Sequence, residues 1–379
     1  MLALSLNIVL LLDFLCARLR SVTTPKRASR AAPASRLDPK PVSLKQLAEH
    51  LGLSPATVSL VINRSPVADS IPQETKDRVL AAARKFKYRP NFFARSLRAK
   101  HSFTIGVIVP EVSDGYSASV MSGLEDYLLQ EGYFYFVVSH RHRADLIDEY
   151  PRLFLERSVD GLIAVDTPWS LPLSVPVVTV SGHNHVKGVT NIVLDHVRAA
   201  EVAIKHLYQL GHREVAFIKG QEFSSDTAVR WANIEKAARE LNLSISPHLV
   251  AQLKGDSPSP HLGYEATRKL LASHKPFTAL FAFNDISAMG AIRALREAEV
   301  QVPRQVSVVG FDDIPSAAYQ NPALTTVRQP LREMGRIAAE ILLRRIRCSG
   351  PDTRGSETMV EPELIIRETT CRVLKPVSS

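Results

Sequence analysis

Polar side chains that could bind a small molecule stand at the ends of short apolar runs in the larger, C-terminal part of the chain. The set comprises Asp114, Tyr116, Ser139, Asp166, Ser181, Asn284, Asp285, Asp312 and Asp313. Arg230, beyond the loop that follows Ile218, adds a guanidinium to the same region. Carboxylates, amides, hydroxyl groups and a guanidinium suit a small polyhydroxylated or anionic molecule, so these residues predict a ligand-binding pocket.

A structural explanation competes with this one at several of the positions. An Asp or Asn at the end of a strand is often only the N-cap of the helix that follows. For Asn284, Asp285 and Asp313 the two interpretations stay open on the sequence alone.

The apolar runs read as buried strands that alternate with helices. Candidate strands cover residues 104–109, 134–138, 161–165, 177–180, 215–218, 279–283 and 306–310, and candidate helices cover 118–131, 145–157, 199–210, 229–241, 263–273 and 287–298. Strands separated by helices of this length indicate parallel sheets with helices on both faces. Ligands of such sheets bind beyond the carboxyl ends of the strands, where the polar residues stand.

A second feature with functional chemistry lies near the amino end, where two short helices flank a glycine. The first helix has one apolar face, formed by Leu44, Leu47, Ala48 and Leu51. Gly52 allows a sharp turn, and Ser54-Pro55 suits the N-cap and first position of a second helix. That helix would bury Val58, Val61 and Ile62 and expose a short, mostly uncharged face formed by Ala56, Thr57, Leu60, Asn63 and Arg64. The pattern predicts a DNA-binding helix-turn-helix; the alternative is a helical hairpin in an ordinary core.

Charge is concentrated at this end of the chain. Residues 1–100 contain 18 Lys and Arg against 6 Asp and Glu, whereas the remaining residues contain 29 against 32. A basic head on a nearly neutral body is the electrostatic pattern of a nucleic-acid-binding protein. The region also contains a third candidate helix over residues 72–86, followed by a short basic connector.

Several motifs together make the chain resemble the LacI/GalR family of bacterial transcription factors. They are the helix-turn-helix, Tyr88-Arg89-Pro90-Asn91 followed by Ala94, Arg95 and Leu97, and Gly310-Phe311-Asp312-Asp313. The resemblance covers about residues 42 to 370. It implies an all-α helix-turn-helix domain over residues 42–89, a hinge over 90–102 and an effector domain over 103–370. That effector domain would be an α/β, periplasmic-binding-protein-like unit of two parallel-sheet subdomains with three chain crossings, followed by a tail over residues 371–379.

For the effector domain, the resemblance implies a ligand in the cleft between the subdomains, with a sugar or a related metabolite as the expected effector. Arg230 falls where family members clamp effector oxygens or a carboxylate, and Asn284 and Asp312 fall where they bind hydroxyl groups. Tyr116 and Ser117 replace an aromatic pair that often contacts the ligand. Ser181 stands where some members have Asp or Arg.

For DNA, the resemblance implies a palindromic operator read by a homodimer. Residues 54–63 would form the recognition helix, with Pro55, Ala56 and Leu60 at the base-selecting positions. Because none of the three has a strong hydrogen-bonding group, apolar contacts such as those with thymine methyl groups are expected. Ser54 would cap the helix, and Thr57, Ser59 and Asn63 would mainly contact phosphates. In the hinge, Asn91 would cap a helix that contains Ala94 and Arg95, and Leu97 would wedge into the minor groove and kink the duplex.

The same resemblance bears on the C-terminal part and on the dimer. Residues 321–330 resemble the family's crossover back into the second subdomain. The candidate helix over residues 334–345, with Ile337, Ala338, Ile341 and Leu342 inward, is expected to be core rather than interface. We expect the dimer surface to lie partly on the helix over residues 118–131.

The first nineteen residues are apolar, which the family does not usually show. No basic residue precedes the apolar run, and Asn7 and Asp13 interrupt it, unlike a secretory signal or a membrane span. Residues 20–41, rich in Pro, Ala, Ser and Arg, are expected to be disordered. The favoured explanation is a start assigned too far upstream or a disordered extension; a membrane anchor is the alternative.

Two other functional classes compete with a cytoplasmic regulator. A secreted solute-binding protein would share the cleft fold and explain the apolar start, but not the helix-turn-helix. An enzyme is disfavoured because the sequence has no Gly-x-Ser-x-Gly elbow, phosphate loop or His-Glu-x-x-His motif. Cys16, Cys348 and Cys371 are too few and dispersed for a disulfide scaffold or a metal site. No cofactor is expected, and the pairs His140/His142 and His183/His185 are interpreted as solvated loop histidines.

Overall fold

The structure is a computed structural model that describes residues 42–63, 65–88, 96, 101–170, 172–182, 184–256, 259–348 and 356–373. The chain divides into two compact units, one up to Asn91 and the other from Phe92 onward. The predictions for the apolar start, for Arg64, for the hinge residues Asn91, Ala94, Arg95 and Leu97, and for the last six residues lie outside the described residues.

The first unit is built from three helices around a small apolar core. The helices are α1 (Leu44–Leu51), α2 (Pro55–Ile62) and α3 (Gln73–Lys85), with a 3-10 turn over Pro66–Ser70 between the last two. The side chains of Leu47, Ala48, Val58, Val61, Val79 and Ala82 form the core. Because these residues recur at helical spacing, one face of each helix is removed from water, which stabilises the three-helix arrangement.

The turn between α1 and α2 has the predicted chemistry. Gly52 adopts a left-handed φ of 65°, and its backbone N–H donates to the last carbonyls of α1. Ser54 then caps α2, since its Oγ accepts a hydrogen bond from the Thr57 N–H at 3.1 Å. Pro55 occupies the first helical position, where no donor is needed.

The second unit contains two six-stranded sheets with helices on both faces of each. In the first part of this unit the elements are β1 (Thr104–Val109), α4 (Gly115–Gln130), β2 (Phe134–Ser139), α5 (Ala144–Glu156), β3 (Gly161–Val165), β4 (Val177–Val180) and β5 (Val189–Leu194). They are followed by α6 (His196–Gln209), β6 (Val215–Lys219), α7 (Ser225–Glu240), β7 (Val250–Gln252), α8 (Pro260–Ala272), β8 (Ala279–Ala282), α9 (Asp285–Glu297), β9 (Ser307–Asp312) and β10 (Thr325–Arg328). The last elements are α10 (Leu331–Arg347), β11 (Glu357–Val360) and β12 (Glu363–Ile365).

The two sheets have the same strand order. The first is ordered β11-β5-β4-β3-β1-β2 and the second β12-β10-β9-β8-β6-β7. All pairs are parallel except β10 with β12, which is antiparallel. In each sheet the order reverses beside the first strand, between β1 and β3 and between β6 and β8. Such reversal points leave a crevice at the carboxyl ends of the strands, where ligands of α/β sheets bind.

The chain passes between the two sheets three times: after β5, after β10 and between β11 and β12. The prediction for residues 321–330 was therefore wrong in direction. Their central residues form β10 of the second sheet, and the passage at Gln329-Pro330 leads back to the first sheet. There α10 packs against α4, because Gly123 and Gly335 let the two backbones approach; a Cβ on Gly123 would meet the Arg332 carbonyl.

Other differences from the predicted elements concern strands at or near sheet edges. The apolar runs did not predict β5, β7, β10, β11 or β12, which are defined by pairing with other strands rather than by their own pattern. The helix α10 is core as expected, with Met334, Ala338 and Leu342 fully buried. Among the described residues, no helix combines the length and apolarity needed to cross a bilayer.

Candidate functional sites

The predicted polar residues come together at the carboxyl ends of the strands of the second unit. Tyr116 begins α4 after β1, Asp166 follows β3, Ser181 follows β4 and Asp312 ends β9. Two contacts join the two sheets there: Ser225 Oγ donates to the Ser181 carbonyl at 3.2 Å, and the rings of His142 and Phe223 lie 4.1 Å apart. We call this region the cleft.

On the side of the first sheet, the cleft is lined by hydroxyl and carboxyl groups. Tyr116 Oη and Ser181 Oγ form a 2.6 Å hydrogen bond, and burial raises the pKa of Tyr116 well above its ordinary value. Burial, followed by the neighbouring carboxylates of Asp226 and Asp114, likewise raises the pKa of Asp166. The backbones of Asp166 and Ser181 have left-handed φ angles of 39° and 56°. Such strain at strand ends is typical of functional sites.

Arg230 is held rigidly on the side of the second sheet. Its side chain is 3% exposed, and its Nη1 donates to the Phe283 carbonyl at 2.5 Å. Its Nη2 donates to Asp226 Oδ2 at 2.9 Å. The guanidinium also lies 3.7 Å from the ring centroid of Phe311 and 4.4 Å from that of Phe283. The arrangement fixes the direction of the cation before any ligand arrives.

Asp226 is the residue of this site that the sequence analysis missed. The apolar pattern predicts a helix that begins at Val229, whereas α7 begins at Ser225 and places Asp226 one turn before Arg230 on the same face. Its carboxylate is 5% exposed and also lies 3.5 Å from His196 Nε2. The signal that could have found it is the Asp-x-x-x-Arg spacing at the start of an amphipathic helix.

Asp312 completes the cleft at the end of β9. Gln329 Nε2 donates to its Oδ1 at 2.7 Å. Burial raises the pKa of Asp312 well above its ordinary value, and the Arg230 guanidinium opposes that rise. Its φ of 108° lies in the left-handed region that L-residues rarely adopt.

Three buried polar atoms of this region have no hydrogen-bond partner within the described part of the chain. They are Ser117 Oγ, Arg230 Nε and Gln329 Oε1. A buried polar atom without a partner costs about 1–3 kcal/mol, so proteins seldom leave one unless a water or ligand satisfies it. All three lie beside the strand ends that form the cleft, where a water molecule or a polar ligand could satisfy them.

The neighbouring candidates have partners within the fold. Asn284 Oδ1 accepts from the Ser287 N–H at 2.9 Å and caps α9, as the N-cap alternative predicts. Asp285 accepts from Thr326 Oγ1 and from the Ile314 N–H, and Asp313 pairs with Arg328 and Arg367. Ser139 accepts through its carbonyl from Tyr150 Oη.

The interpretation of His140 as a solvated residue was wrong. His140 is fully buried, and burial lowers its pKa to about 4. Its Nδ1 accepts from the His142 N–H, and its Nε2 lies 3.2 Å from Thr167 Oγ1. The loop folds inward here because these two bonds satisfy both nitrogens of the neutral ring. No group of potential metal ligands occurs in the described ranges, and His183 is outside them.

A cavity of about 50 Å³ lies at the rim of the cleft and is lined by His140, His142, Ile147, Asp166, Pro168, Phe223, Ser224 and Ser225. Typical ligand sites measure roughly 300–1,000 Å³, so this cavity is too small to hold one. Separation of the two sheets with their helices would break the Ser225–Ser181 and His142–Phe223 contacts.

In the first unit, α2 presents the predicted face. Ser54, Pro55, Ala56 and Asn63 are exposed, and Thr57 and Leu60 are half-buried. Ser59 differs from the prediction of a phosphate contact, because it is 7% exposed and its Oγ accepts from Asn63 Nδ2 at 3.2 Å. Ser59 therefore positions Asn63 at the end of α2 rather than facing outward itself.

Comparison with known proteins places both units. Residues 43–91 match the family of bacterial regulatory proteins, lacI family, and residues 204–370 match a periplasmic binding protein-like domain. The chain is 32% identical over 342 residues to the HTH-type transcriptional repressor PurR of Haemophilus influenzae, a match that covers 88% of this chain and 99% of the relative. The chain belongs to the LacI family. PurR of Aliivibrio fischeri is 31% identical with the same coverage.

Solved structures of LacI-family proteins share the fold. The lac repressor dimer bound to operator and the anti-inducer ONPF has a TM-score of 0.75 at 26% identity, covering 88% of this chain and 100% of that one. The complex of the transcriptional regulator CelR with cellobiose has a TM-score of 0.64 at 26% identity, covering 86% and 99%. A LacI-family regulator from Enterococcus faecium with bound ribose has a TM-score of 0.62 at 26% identity, covering 72% and 100%.

Membership of this family decides among the classes left open by the sequence. The chain is a DNA-binding transcriptional regulator with an effector-binding domain, and its relatives are repressors rather than enzymes. The secreted solute-binding alternative is not favoured, because such a protein would share the cleft domain but not the regulatory domain matched at residues 43–91.

Proposed function

We propose that this LacI-family chain is a cytoplasmic repressor that binds a palindromic operator as a homodimer and changes its operator affinity when a small hydroxylated molecule occupies the cleft. The observation that carries the proposal is the set of three buried, unsatisfied polar atoms in the cleft, Ser117 Oγ, Arg230 Nε and Gln329 Oε1. They occur in a chain whose α2 presents an exposed face of the kind that enters a major groove.

A sugar or a related metabolite is the proposed effector class. Tyr116, Ser117, Ser181, Arg230, Asn284 and Asp312 would bind it, since hydroxyl, amide, carboxyl and guanidinium groups bond sugar hydroxyls. Two structural neighbours contain cellobiose and ribose, which supports the class without identifying the molecule. Opening and closing of the cleft around the ligand would supply the two states that regulation requires.

The homodimer is supported by an exposed apolar surface on the first sheet. Phe134, Phe136 and Val137 of the edge strand β2 are 59%, 41% and 37% exposed, and Leu129 at the end of α4 is 63% exposed. An edge strand with exposed aromatic side chains invites pairing unless another molecule covers it. We therefore propose β2, with the outer end of α4, as the dimer surface; most of the inner face of α4 packs against α10.

For DNA, Pro55, Ala56 and Leu60 are the proposed base-contacting residues, and Thr57 and Asn63 the phosphate-contacting ones. The exposed Ala56 makes a direct test possible with a matched control. Duplexes are first selected from a random library with the purified full chain. The affinity of these duplexes is then measured for the variants Ala56→Asp and Ala81→Asp, each of which adds one carboxylate at an exposed helical alanine. We expect Ala56→Asp to lose at least about a hundredfold in affinity through phosphate repulsion, and Ala81→Asp to retain most of it.

The outcomes of that selection separate the alternatives. Recovery of a palindromic consensus whose affinity changes on addition of a sugar supports the proposal. Failure to enrich any duplex, with or without sugars and metabolites, contradicts it. Equal loss in both alanine variants would contradict the assignment of α2 as the recognition helix.

The hinge wedge has its own test on the same duplexes. Leu97 lies outside the described residues, and its role is inferred from the family resemblance. Leu97→Ala should weaken binding to the selected duplex and reduce the bend of the DNA, because an apolar wedge kinks the base step it enters. Unchanged affinity and bend would rule out the wedge.

A further inference from the structure

Asp226 affects which molecules the cleft can bind, because its carboxylate pairs with the Arg230 guanidinium, which would otherwise attract an anionic ligand. Its carboxylate accepts from Arg230 Nη2 at 2.9 Å, and both side chains are at least nine-tenths buried. A salt bridge in such surroundings is strongly coupled, so the charge of Arg230 is already compensated inside the protein.

The hydrogen-bond donors that remain on Arg230 are poorly arranged for a carboxylate or a phosphate. Recognition of these anions by arginine is commonly bidentate, with two parallel N–H groups directed at two oxygens. Here the Phe283 carbonyl engages Nη1 and Asp226 engages Nη2, while Phe311 and Phe283 lie against the guanidinium. Each terminal nitrogen keeps one further N–H, but a bidentate anion would have to share a terminal nitrogen with the Phe283 carbonyl or with Asp226. The Nε–H, which has no partner among the described residues, can donate to a single hydroxyl oxygen.

The other charges around Arg230 act in the same direction. Asp166 and Asp312 each interact electrostatically with Arg230, and Asp114 interacts with both of these carboxyl groups. An anionic ligand would add a charge to a buried site whose acidic groups already disfavour ionisation, so it would be repelled and would raise the pKa of these groups further. An uncharged ligand would not be repelled in this way.

The unsatisfied atoms complement an uncharged polyol. Arg230 Nε can only donate, Gln329 Oε1 can only accept, and Ser117 Oγ can do both. Hydroxyl groups both donate and accept, so the hydroxyl groups of a polyol match the donor and acceptor character of all three atoms. A carboxylate or phosphate oxygen can only accept, so an anionic group placed against Gln329 Oε1 would leave that oxygen unpaired.

We propose that Asp226 is a specificity-determining residue that neutralises Arg230, so that the cleft binds an uncharged polyhydroxylated molecule and rejects its carboxylate and phosphate analogues. This inference rests on the proposed function, since it assumes that the cleft is the effector site. It assigns Asp226 a role in choosing among ligands, besides its support of Arg230.

The test uses the full chain and matched pairs of probes. Neutral D-glucose, D-ribose, cellobiose, adenosine and guanosine are compared by calorimetry with D-glucuronate, glucose 6-phosphate, ribose 5-phosphate, cellobionate and the two nucleoside monophosphates. The proteins are the wild type, Asp226→Asn and the control Glu240→Gln. Glu240 is exposed at the end of the same helix, about 15 Å along its axis from Arg230, so the control removes equal charge without touching the cleft.

We expect the wild type to bind at least one neutral probe and its anionic partner at least about tenfold more weakly. In Asp226→Asn the ratio of affinities between the neutral probe and its anionic partner should fall by about tenfold, and in Glu240→Gln this ratio should be unchanged. An anionic probe that binds the wild type as tightly as its neutral partner, or an unchanged ratio in Asp226→Asn, overturns the inference and leaves the proposed function standing. Binding of no probe to any of the three proteins contradicts the proposed function as well.

A second measurement does not depend on the choice of metabolite or on the stability of one variant. Sulfate should raise the melting temperature of Asp226→Asn, and of the smaller variant Asp226→Ser, more than that of the wild type or Glu240→Gln, because it would bind the uncompensated guanidinium. An equal sulfate effect on all four proteins would overturn the neutralising role of Asp226.

Discussion

Two groups of buried carboxyl residues lie side by side at the carboxyl ends of the second sheet, and they differ in how completely their polar atoms are paired. Asp285 and Asp313 accept from Thr326, Ile314, Arg328 and Arg367. In the cleft group, with Asp226, Arg230 and Asp312 at its centre, Arg230 Nε and the nearby Gln329 Oε1 have no partner among the residues that the structure describes.

The degree of pairing of the polar atoms distinguishes structural residues from candidate ligand-binding residues, even where the residue types are the same. Asp285 of the first group and Asp312 of the second are both buried and both lie at or just after the end of a strand. A fully paired group lowers the free energy of the folded chain by itself, whereas an unpaired one leaves a cost that a ligand can recover. Removal of an unsatisfied atom should therefore weaken ligand binding without loss of stability, whereas removal of a paired atom should lower the free energy of unfolding.

The largest effect is expected for Arg230→Ala. Removal of the guanidinium leaves Asp226 as a buried carboxylate without its cation, which costs about 3–5 kcal/mol of unfolding free energy. Urea denaturation of the full chain measures it, and the same variant should lose the thermal shift produced by any bound sugar. The double variant Arg230→Ala/Asp226→Asn serves as the control.

The double variant distinguishes the effect of an unpaired buried carboxylate on stability from the effect of the missing guanidinium on ligand binding. The double variant should recover much of the lost stability, because no unpaired charge remains, but it should not recover ligand binding. If the single variant kept full stability, or if it kept the thermal shift, Arg230 would not be the anchor of the cleft.

His140, a paired group at the rim of the cleft, is expected to give the next largest effect through pH. Its pKa in the folded chain is about 4, below the ordinary 6.5, because burial disfavours the charged ring. The unfolded chain therefore binds more protons between these values, so its contribution is complete above about pH 6.5 and is lost as the pH falls towards 4. The loss amounts to up to about 3 kcal/mol.

His140→Asn isolates this contribution, since the amide oxygen can accept the His142 N–H but cannot take up a proton. The difference in unfolding free energy between the wild type and His140→Asn should narrow steadily from pH 7 to pH 4. The exposed His248→Asn is the matched control. A difference independent of pH would mean that His140 is not held neutral by its surroundings.

The smallest effects distinguish the two groups most sharply. Asp285→Asn should cost about 1–3 kcal/mol, because one oxygen that accepts a hydrogen bond becomes a donor, while ligand affinity stays nearly unchanged. Ser117→Ala should do the reverse: it removes an unsatisfied buried hydroxyl, so stability should rise by about 1 kcal/mol while ligand affinity falls several-fold. Denaturation and calorimetry on both variants check this; the same sign of stability change in both would contradict the distinction.

The helix-turn-helix could be predicted well from the sequence because its information is local. Gly52, Ser54 and Pro55 determine the turn and the start of α2 through backbone preferences that act within a few residues. The apolar spacing of α1 then predicts which side chains reach the core. Most central strands were predicted for the same reason, since their own residues are strongly β-branched.

The cleft could be predicted only in part. The strand-end rule found Arg230 and Asp312, but the role of Asp226 depends on where α7 begins, which the apolar pattern misplaced by four residues. The burial of His140 depends on a bond to Thr167, which is distant in sequence, and the pairing of Asp285 depends on residues of β10 and the loop after β9. Such tertiary pairings have no periodic signature in the chain.

The most direct measurement is a crystal structure of the full chain with a neutral sugar identified by calorimetry. We predict that the two halves of the effector unit enclose the sugar and that its hydroxyl groups lie within hydrogen-bonding distance of Ser117 Oγ, Arg230 Nε and Gln329 Oε1, with the Asp226–Arg230 pair intact. A sugar bound elsewhere, with these three atoms still unpaired beside an empty cleft, would contradict the assignment of the effector site.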